Sequence, residues 1–362
     1  MLTSQIIKNC LQELCSITRT QFCVQDTAGN VIAQTENMTP PEPSLIEGLH
    51  ASAVDSQIIG NSYSLKVRDD GETTYILTAT GDSDYTFMIA KVAVSELQNL
   101  IVAYKEKLDR NNFFQNLLLD NLLLVDIHNR AKRLHVPYQG ARAIILFEMD
   151  EEQDQIASEL LSGLFTVSSG DYLTEVDEHS VILVKLLEGE DDYRQLEESA
   201  RTAVDMLNME AMIKVRASYG TIVTELKDLS KSYKEARMAM DVGRIFYAER
   251  YVISYNELGI GRLIYQLPLS LCRMFIQEVF GTTQPVDFDN ELQTTINIFL
   301  ENSLNVSETA RKLFVHRNTL VYRIEKLQKS CGLDIRTFDD AMTLKIAMMV
   351  SAYMHYIDAQ TK

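Results

Sequence analysis

Apolar residues between Leu292 and Leu327 recur three times at helical spacing, with only short breaks between the repeats. Leu292, Ile296, Phe299 and Leu300 stand at i, i+4, i+7 and i+8, and the chain then stops at Asn302-Ser303. Val306, Ala310, Leu313 and Phe314 repeat that spacing, and after a turn at Val315-His316 a third stripe runs through Leu320, Ile324 and Leu327. Each stripe is the buried face of an amphipathic helix. Helices joined this closely bury their faces against one another, as in a helix-turn-helix. Asn305 with Glu308 three residues on is a capping-box variant that starts the second helix. The small Ala310 suits a close helix crossing.

The third stripe leaves Arg317, Asn318, Thr319, Tyr322, Arg323 and Lys326 for the open face, with His316 at the turn. Those side chains match duplex DNA: Arg pairs with guanine or phosphate, Asn with adenine, and Thr with phosphate or the thymine methyl. A recognition helix reads bases from its first turns. Arg317, Asn318 and Thr319 are therefore expected at base edges, and Tyr322, Arg323 and Lys326 nearer the backbone. The chain as a whole carries a net charge of −17, which excludes a protein that coats nucleic acid along its surface. From Asn305 to Lys329, however, six basic residues (Arg311, Lys312, Arg317, Arg323, Lys326, Lys329) face two acidic ones (Glu308, Glu325). A bundle that merely displays solvated charge would also have such a face.

Upstream, residues 1–95 open with a helical stretch. A hairpin follows at Phe22-Cys23-Val24-Gln25-Asp26, Ala28-Gly29-Asn30 and Val31-Ile32-Ala33, then strand-like runs at Ser62–Val67, Thr74–Thr78 and Thr86–Val92. This predicts a small α+β domain similar to PAS and GAF sensors and to the sugar-diacid recognition domain. Residues 96–136 turn helical, with Leu97, Leu100, Ile101, Tyr104 and Leu108 on one face before the apolar run Leu117–Val125. That face serves either a dimer seam or packing on its own domain.

From Ala141 to Tyr255 the pattern is strand (Ala143–Glu148), helix, strand (Tyr172–Val176), strand (Val181–Lys185), helix (Tyr193–Leu207), strand (Ile213–Tyr219), helix (Leu229–Gly243) and short strand (Tyr251–Ser254). This βαββαβ order is that of a ferredoxin-like sheet. The run Val215-Arg216-Ala217-Ser218-Tyr219-Gly220-Thr221, with Ser232-Tyr233-Lys234-Glu235-Ala236-Arg237 after it, resembles the degenerate GGDEF-like domain of PucR/CdaR-type regulators. The run from Asn305 to Ile324 resembles the C-terminal DNA-binding domain of the same family.

The resemblance covers roughly residues 113–356. It implies an α+β multidomain regulator: a sensor (1–95), signalling helices (96–136), a GGDEF-like domain (137–257), a connecting helix (258–290) and a helix-turn-helix domain (291–362). It further implies a small-molecule effector, a homodimer on DNA and activation of a catabolic operon.

An active cyclase would carry glycines where this chain has Val176-Asp177-Glu178-His179-Ser180, so catalysis is not expected, although Glu148 and Asp150 resemble the metal carboxylates of cyclases. No catalytic residue, metal or cofactor is predicted, and no effector-binding residue is singled out. Cys10, Cys15, Cys23, Cys272 and Cys331 form no ligand or disulfide pattern, which fits a reducing compartment. No uninterrupted apolar run approaches a bilayer span and the N-terminus lacks a signal-peptide layout, so a cytoplasmic protein without membrane contact is expected. The last helix, with Met342, Ile346, Met349, Val350 and Tyr353, is read as core or dimer packing, with a flexible methionine surface for a partner such as RNA polymerase as the alternative. A non-DNA-binding scaffold and a cyclase-type enzyme are the alternatives.

Overall fold

The computed structural model describes residues 2–149, 154–165, 170–177, 179–189, 192–281 and 288–360. The chain divides into two compact units, Met1–Phe113 and Phe114–Lys362.

The first unit runs α1 (Ser4–Thr18), β1 (Gln21–Gln25), β2 (Val31–Gln34), α2 (Pro43–Ala51), β3 (Ser56–Ile59), β4 (Ser62–Asp69), β5 (Glu72–Thr80) and most of α3 (Thr86–Leu118). Its five strands pair antiparallel in the order β2-β1-β5-β4-β3. The β1–β2 turn closes on Asp26, whose Oδ1 accepts from the amides of Ala28 (2.9 Å) and Asn30 (2.8 Å). Gly29 in that turn has φ +83°, and a Cβ there would meet Pro43 Cα at 2.5 Å, so only glycine lets α2 start so close. Alternation puts Phe22, Val24, Leu65, Val67, Leu77 and Ala79 on one sheet face, packed against Ile7 and Leu11 of α1 and Ala90, Ala93, Leu97 and Ile101 of α3.

The strand expected over Thr86–Val92 is instead the start of α3. β-branched residues crowd this segment, but its buried positions Thr86, Ala90, Ala93, Leu97 and Ile101 fall at i, i+4, i+7, i+11 and i+15. Burial against the sheet overrides local strand preference. The face through Leu97 and Ile101 thus packs on its own domain. By length and composition α3 would pass as a bilayer span, with a mean hydropathy of 1.3 over 18 residues, yet one of its faces lies in this core.

The second unit begins with the end of α3, where Phe114 stacks on Tyr172 at 4.8 Å between ring centroids. The helical lead-in breaks at Asp120 (φ 57°) before α4 (Leu124–Arg133). The Leu117–Val125 run is therefore no single buried stripe: Leu117 and Leu118 are buried, and Leu119, Leu123, Leu124 and Val125 are exposed.

Then come β6 (Gln139–Met149), α5 (Asp154–Leu164), β7 (Tyr172–Glu175), β8 (Ser180–Leu186), α6 (Tyr193–Glu210), β9 (Val215–Tyr219), β10 (Val223–Glu225), α7 (Leu229–Phe246) and β11 (Val252–Ser254). The strands order as β11-β9-β6-β8-β7, with β10 pairing β6. The four strands β9-β6-β8-β7 are antiparallel, the ferredoxin-like arrangement read from the sequence, and β11 adds parallel to β9. Ala143, Ile145 and Phe147 face α5 and α6 through Ala157, Leu161, Leu196 and Ala200. On the other face Ser232 Oγ of α7 accepts from the Ile144 amide at 3.0 Å.

The chain ends in helices α8 (Ile260–Tyr265), α9 (Leu269–Phe280), α10 (Asn290–Glu301), α11 (Val306–Lys312), α12 (Arg317–Cys331) and α13 (Phe338–Gln360). They share a core of Cys272, Ile276, Ile296, Phe299, Leu320, Ile324, Leu327, Leu344, Ala347 and Val350. Of the methionine-rich stripe on α13, Val350 and Tyr353 are core, Ile346 and Met349 pack against it, and Met342 is exposed.

Candidate nucleic-acid interface

Three side-chain caps set the register of the C-terminal helices. Asp289 Oδ1 accepts from the Leu292 amide at 2.7 Å and starts α10. Asn305 Oδ1 accepts from the amides of Ser307 (3.0 Å) and Glu308 (3.1 Å) and starts α11. Glu308 forms an ion pair with Arg311 at 2.5 Å. His316 Nδ1 accepts from the Asn318 amide at 3.2 Å, which makes His316 the N-cap of α12. Each cap satisfies amide groups that the first helical turn leaves without partners.

The turn from α11 to α12 reverses at Phe314, with φ 57° and the Val315 amide donating back to the Ala310 carbonyl at 3.0 Å. Phe314 is 96% exposed, not buried as its i+8 spacing predicted. The helical period no longer applies once α11 has ended at Lys312, and the left-handed residue swings its side chain away from the core.

Leu320, Ile324 and Leu327 anchor α12 with almost no exposure. Arg317, Asn318 and Thr319 stand exposed on its first turn, and Tyr322 is 68% exposed one turn further on. Arg323 does not share that open face. Its side chain is 17% exposed, is ion-paired with Glu291 of α10, and donates from Nη1 to Thr295 Oγ1 at 3.1 Å. The reason is geometric: Arg323 follows Leu320 by three and precedes Leu327 by four, so it flanks the buried stripe. Lys326, three residues on, reaches Asp289 at 3.6 Å while staying exposed. Lys329, not chosen as a contact from the sequence, lies two turns beyond Tyr322 on the same exposed line, where the seven-residue step alone would have found it. Among the described residues, Lys312, Arg317 and Lys329 form no ion pair with a carboxylate, so their charge is available to an anionic partner.

The other candidate site from the sequence lies at the end of β6. Glu148 is ion-paired with Arg244 of α7, and Asp150 lies outside the described residues. In the β7–β8 turn, where Glu178 also lies outside them, Asp177 accepts from Ser180 Oγ at 2.6 Å and from Arg237 Nη1 at 3.0 Å. Burial pushes the Asp177 carboxyl up, but the bonds from Ser180, the His179 amide and Arg237 outweigh it and hold it below the usual carboxylate range. Two α7 arginines thus pair with Glu148 and Asp177. Among the described residues, no three His, Cys, Asp or Glu side chains gather as a metal site.

Comparison with known proteins agrees with this layout. The profile of the PucR C-terminal helix-turn-helix domain matches residues 292–350, and that of the GGDEF-like domain matches residues 121–242. The purine catabolism regulatory protein of Bacillus subtilis (strain 168) is 25% identical over 256 residues, 66% of this chain and 48% of that protein. The chain thus spans about half the length of that relative. The carbohydrate diacid regulator of Escherichia coli (strain K12) is 20% identical over 307 residues, 79% of each chain. The DNA-binding transcriptional activator AdeR of Bacillus subtilis (strain 168) is 21% identical over 315 residues, 80% of this chain and 69% of that one. With a GGDEF-like domain leading into a PucR-type helix-turn-helix domain, the chain resembles regulators of the PucR/CdaR type.

Proposed function

We propose that this chain is a ligand-responsive transcription regulator that binds duplex DNA through α12 and activates a catabolic operon in the cytoplasm. The observation that carries the reading is the first turn of α12. Arg317, Asn318 and Thr319 project from a helix whose other face is locked in the core and whose start is capped by His316. A rigid helix presenting Arg and Asn at its N-terminal end suits base-edge reading in the major groove. Tyr322, Lys326 and Lys329 lie further along, where phosphates pass, and Phe314 offers an exposed ring at the turn. Within this reading Arg323 holds α12 to α10 and His316 shapes the helix start.

The central domain serves as a non-catalytic module in this account, because Arg244 and Arg237 take up Glu148 and Asp177. The protein acts as a homodimer, as supported by an exposed stripe on α3. Met88, Val92 and Val102, with Tyr85 before them, fall at heptad steps with Ser95 and Asn99. In a parallel pair, Lys91 of one copy would face Glu96 of the other, and an Asn in the seam favours a single register. Such a dimer would cover half-sites about one DNA turn, ~10 bp, apart or a multiple of that.

The test is fluorescence anisotropy on DNA from upstream of the protein's own gene, titrated in salt, for wild type and for Arg317→Ala with Asn318→Ala. Specific binding that weakens steeply with salt and is lost in the double variant supports the reading. Equal binding by both proteins overturns the role of α12, and a protein that is monomeric free and on DNA overturns the dimer.

A further inference from the structure

Phe314 is a bulky residue at a position that suits glycine. The stop of α11 carries both bonds of a Schellman turn: the Phe314 amide donates to the Arg311 carbonyl at 3.2 Å, and the Val315 amide to the Ala310 carbonyl at 3.0 Å. The residue at such a stop takes a positive φ, which glycine adopts without steric cost and a larger residue does not. Gly281 (φ 59°) ends α9 and Gly332 (φ 79°) ends α12. Phe314, at φ 57°, ends α11.

No packing within the fold offsets that strain. Phe314 is more exposed than any other large apolar side chain among the described residues, while its neighbours Leu313 and Val315 pack against the C-terminal core. The turn is gripped on both sides and the ring is held out in water. Strain kept at an exposed position where glycine would serve points to a contact outside the chain. The charge around the ring indicates its kind. Lys312 lies two residues before Phe314 and Arg317 three after it, and among the described residues neither pairs with a carboxylate, in a chain of net charge −17. An apolar ring between two available cations suits a polyanion that also offers apolar groups. In duplex DNA the apolar group of the major groove is the thymine C5-methyl, which phenylalanine can pack against.

We propose that Phe314 is a specificity-determining residue whose ring packs on a thymine C5-methyl at the wall of the major groove. From Phe314 to Arg317 the chain spans at most about 11 Å, or about three base steps of ~3.4 Å. The thymine therefore lies within about three base steps of the pair that Arg317 reads. Its methyl is recognised, not its hydrogen-bonding edge, so the half-site carries a base preference that no polar contact supplies. The inference rests on the reading of α12 as the DNA-binding element and adds a reader outside that helix.

The test uses the full chain as wild type, Phe314→Gly, Phe314→Leu and Arg317→Ala, on the duplex that wild type selects from random DNA. Each thymine of a half-site is replaced in turn by deoxyuracil, which removes the methyl and leaves every hydrogen-bonding group in place. Fluorescence anisotropy measures affinity. At one thymine the replacement is expected to weaken wild type about fourfold, the effect of burying one methyl. Phe314→Gly should bind the thymine duplex roughly tenfold more weakly than wild type, as for a ring about half buried, and should bind thymine and deoxyuracil duplexes alike. Phe314→Leu, smaller but apolar, should keep the preference for thymine. Wild type and Phe314→Gly should share one salt dependence, because the ring neutralises no phosphate. Binding by Phe314→Gly as tight as wild type overturns the proposal and leaves the ring to a protein partner. A loss by the same factor on thymine and deoxyuracil duplexes also overturns it, by making Phe314 part of the turn alone. If Arg317→Ala weakens binding and Phe314→Gly does not, α12 still reads DNA and only this inference falls; a wild type that selects no sequence removes both.

Discussion

Replacing Arg323 with alanine separates a residue that holds the recognition helix from one that reads DNA. Arg323 ties α12 to α10 through Glu291 and the buried Thr295. Glu291 is 67% exposed, so solvent screens the pair and limits it to about 0.2–1 kcal/mol. The bond to Thr295 and the packed arginine stem add about 1 kcal/mol. Thr295 Oγ1 also donates to the Glu291 carbonyl at 2.8 Å, so the substitution strands no buried hydroxyl. The expected loss is about 1–2 kcal/mol, a fall in Tm of roughly 3–6 °C for a unit of this size. The chain has no tryptophan, so far-UV circular dichroism is the suitable probe. Well below the melt, Arg323→Ala should bind DNA within about threefold of wild type, less than 1 kcal/mol. Glu291→Ala should reproduce the stability loss, and the double variant should lose less than the sum of the two. An Arg323→Ala protein as stable as wild type but roughly tenfold or more weaker on DNA would refute this account and return Arg323 to the phosphate backbone.

Three further outcomes follow from the geometry. Gly220→Ala places a Cβ at 2.0 Å from the Ser232 carbonyl oxygen of α7, so thermal melts should show a loss of about 3 kcal/mol or more. Phe314→Gly relieves a left-handed residue with no buried side chain, and its Tm should equal or exceed that of wild type by up to about 1 kcal/mol in stability. The Asp177 carboxyl is held low in the folded chain, so the stability it contributes is complete above the ordinary Asp range and is lost as pH falls through its folded value. Asp177→Asn should therefore melt below wild type at neutral pH, with the gap closing on acidification below about pH 4; a constant gap would contradict the assignment.

What the sequence made legible was local. The cap at Asn305 and the stripes through Leu292, Val306 and Leu320 depend on neighbours within two helical turns, so spacing alone placed all three helices. Arg323 was misplaced because its partner Glu291 lies 32 residues away. Spacing marks the arginine as polar without revealing that a second helix draws it in. Phe314 failed for the opposite reason: a single left-handed residue ends the period that its spacing assumed. The β-branched content of Thr86–Val92 points to a strand, whereas the alanines at 90 and 93 mark where the helix meets the sheet.

The most direct test of α12 as the reading element is selection of preferred sites from random duplex DNA, for wild type and for Arg317→Ala. Wild type is expected to select a defined half-site, and Arg317→Ala to relax preference at one base position in each half-site by about 1–3 kcal/mol while leaving the other positions unchanged. Selection of the same site with undiminished preference by both proteins, or of no sequence by either, would contradict it.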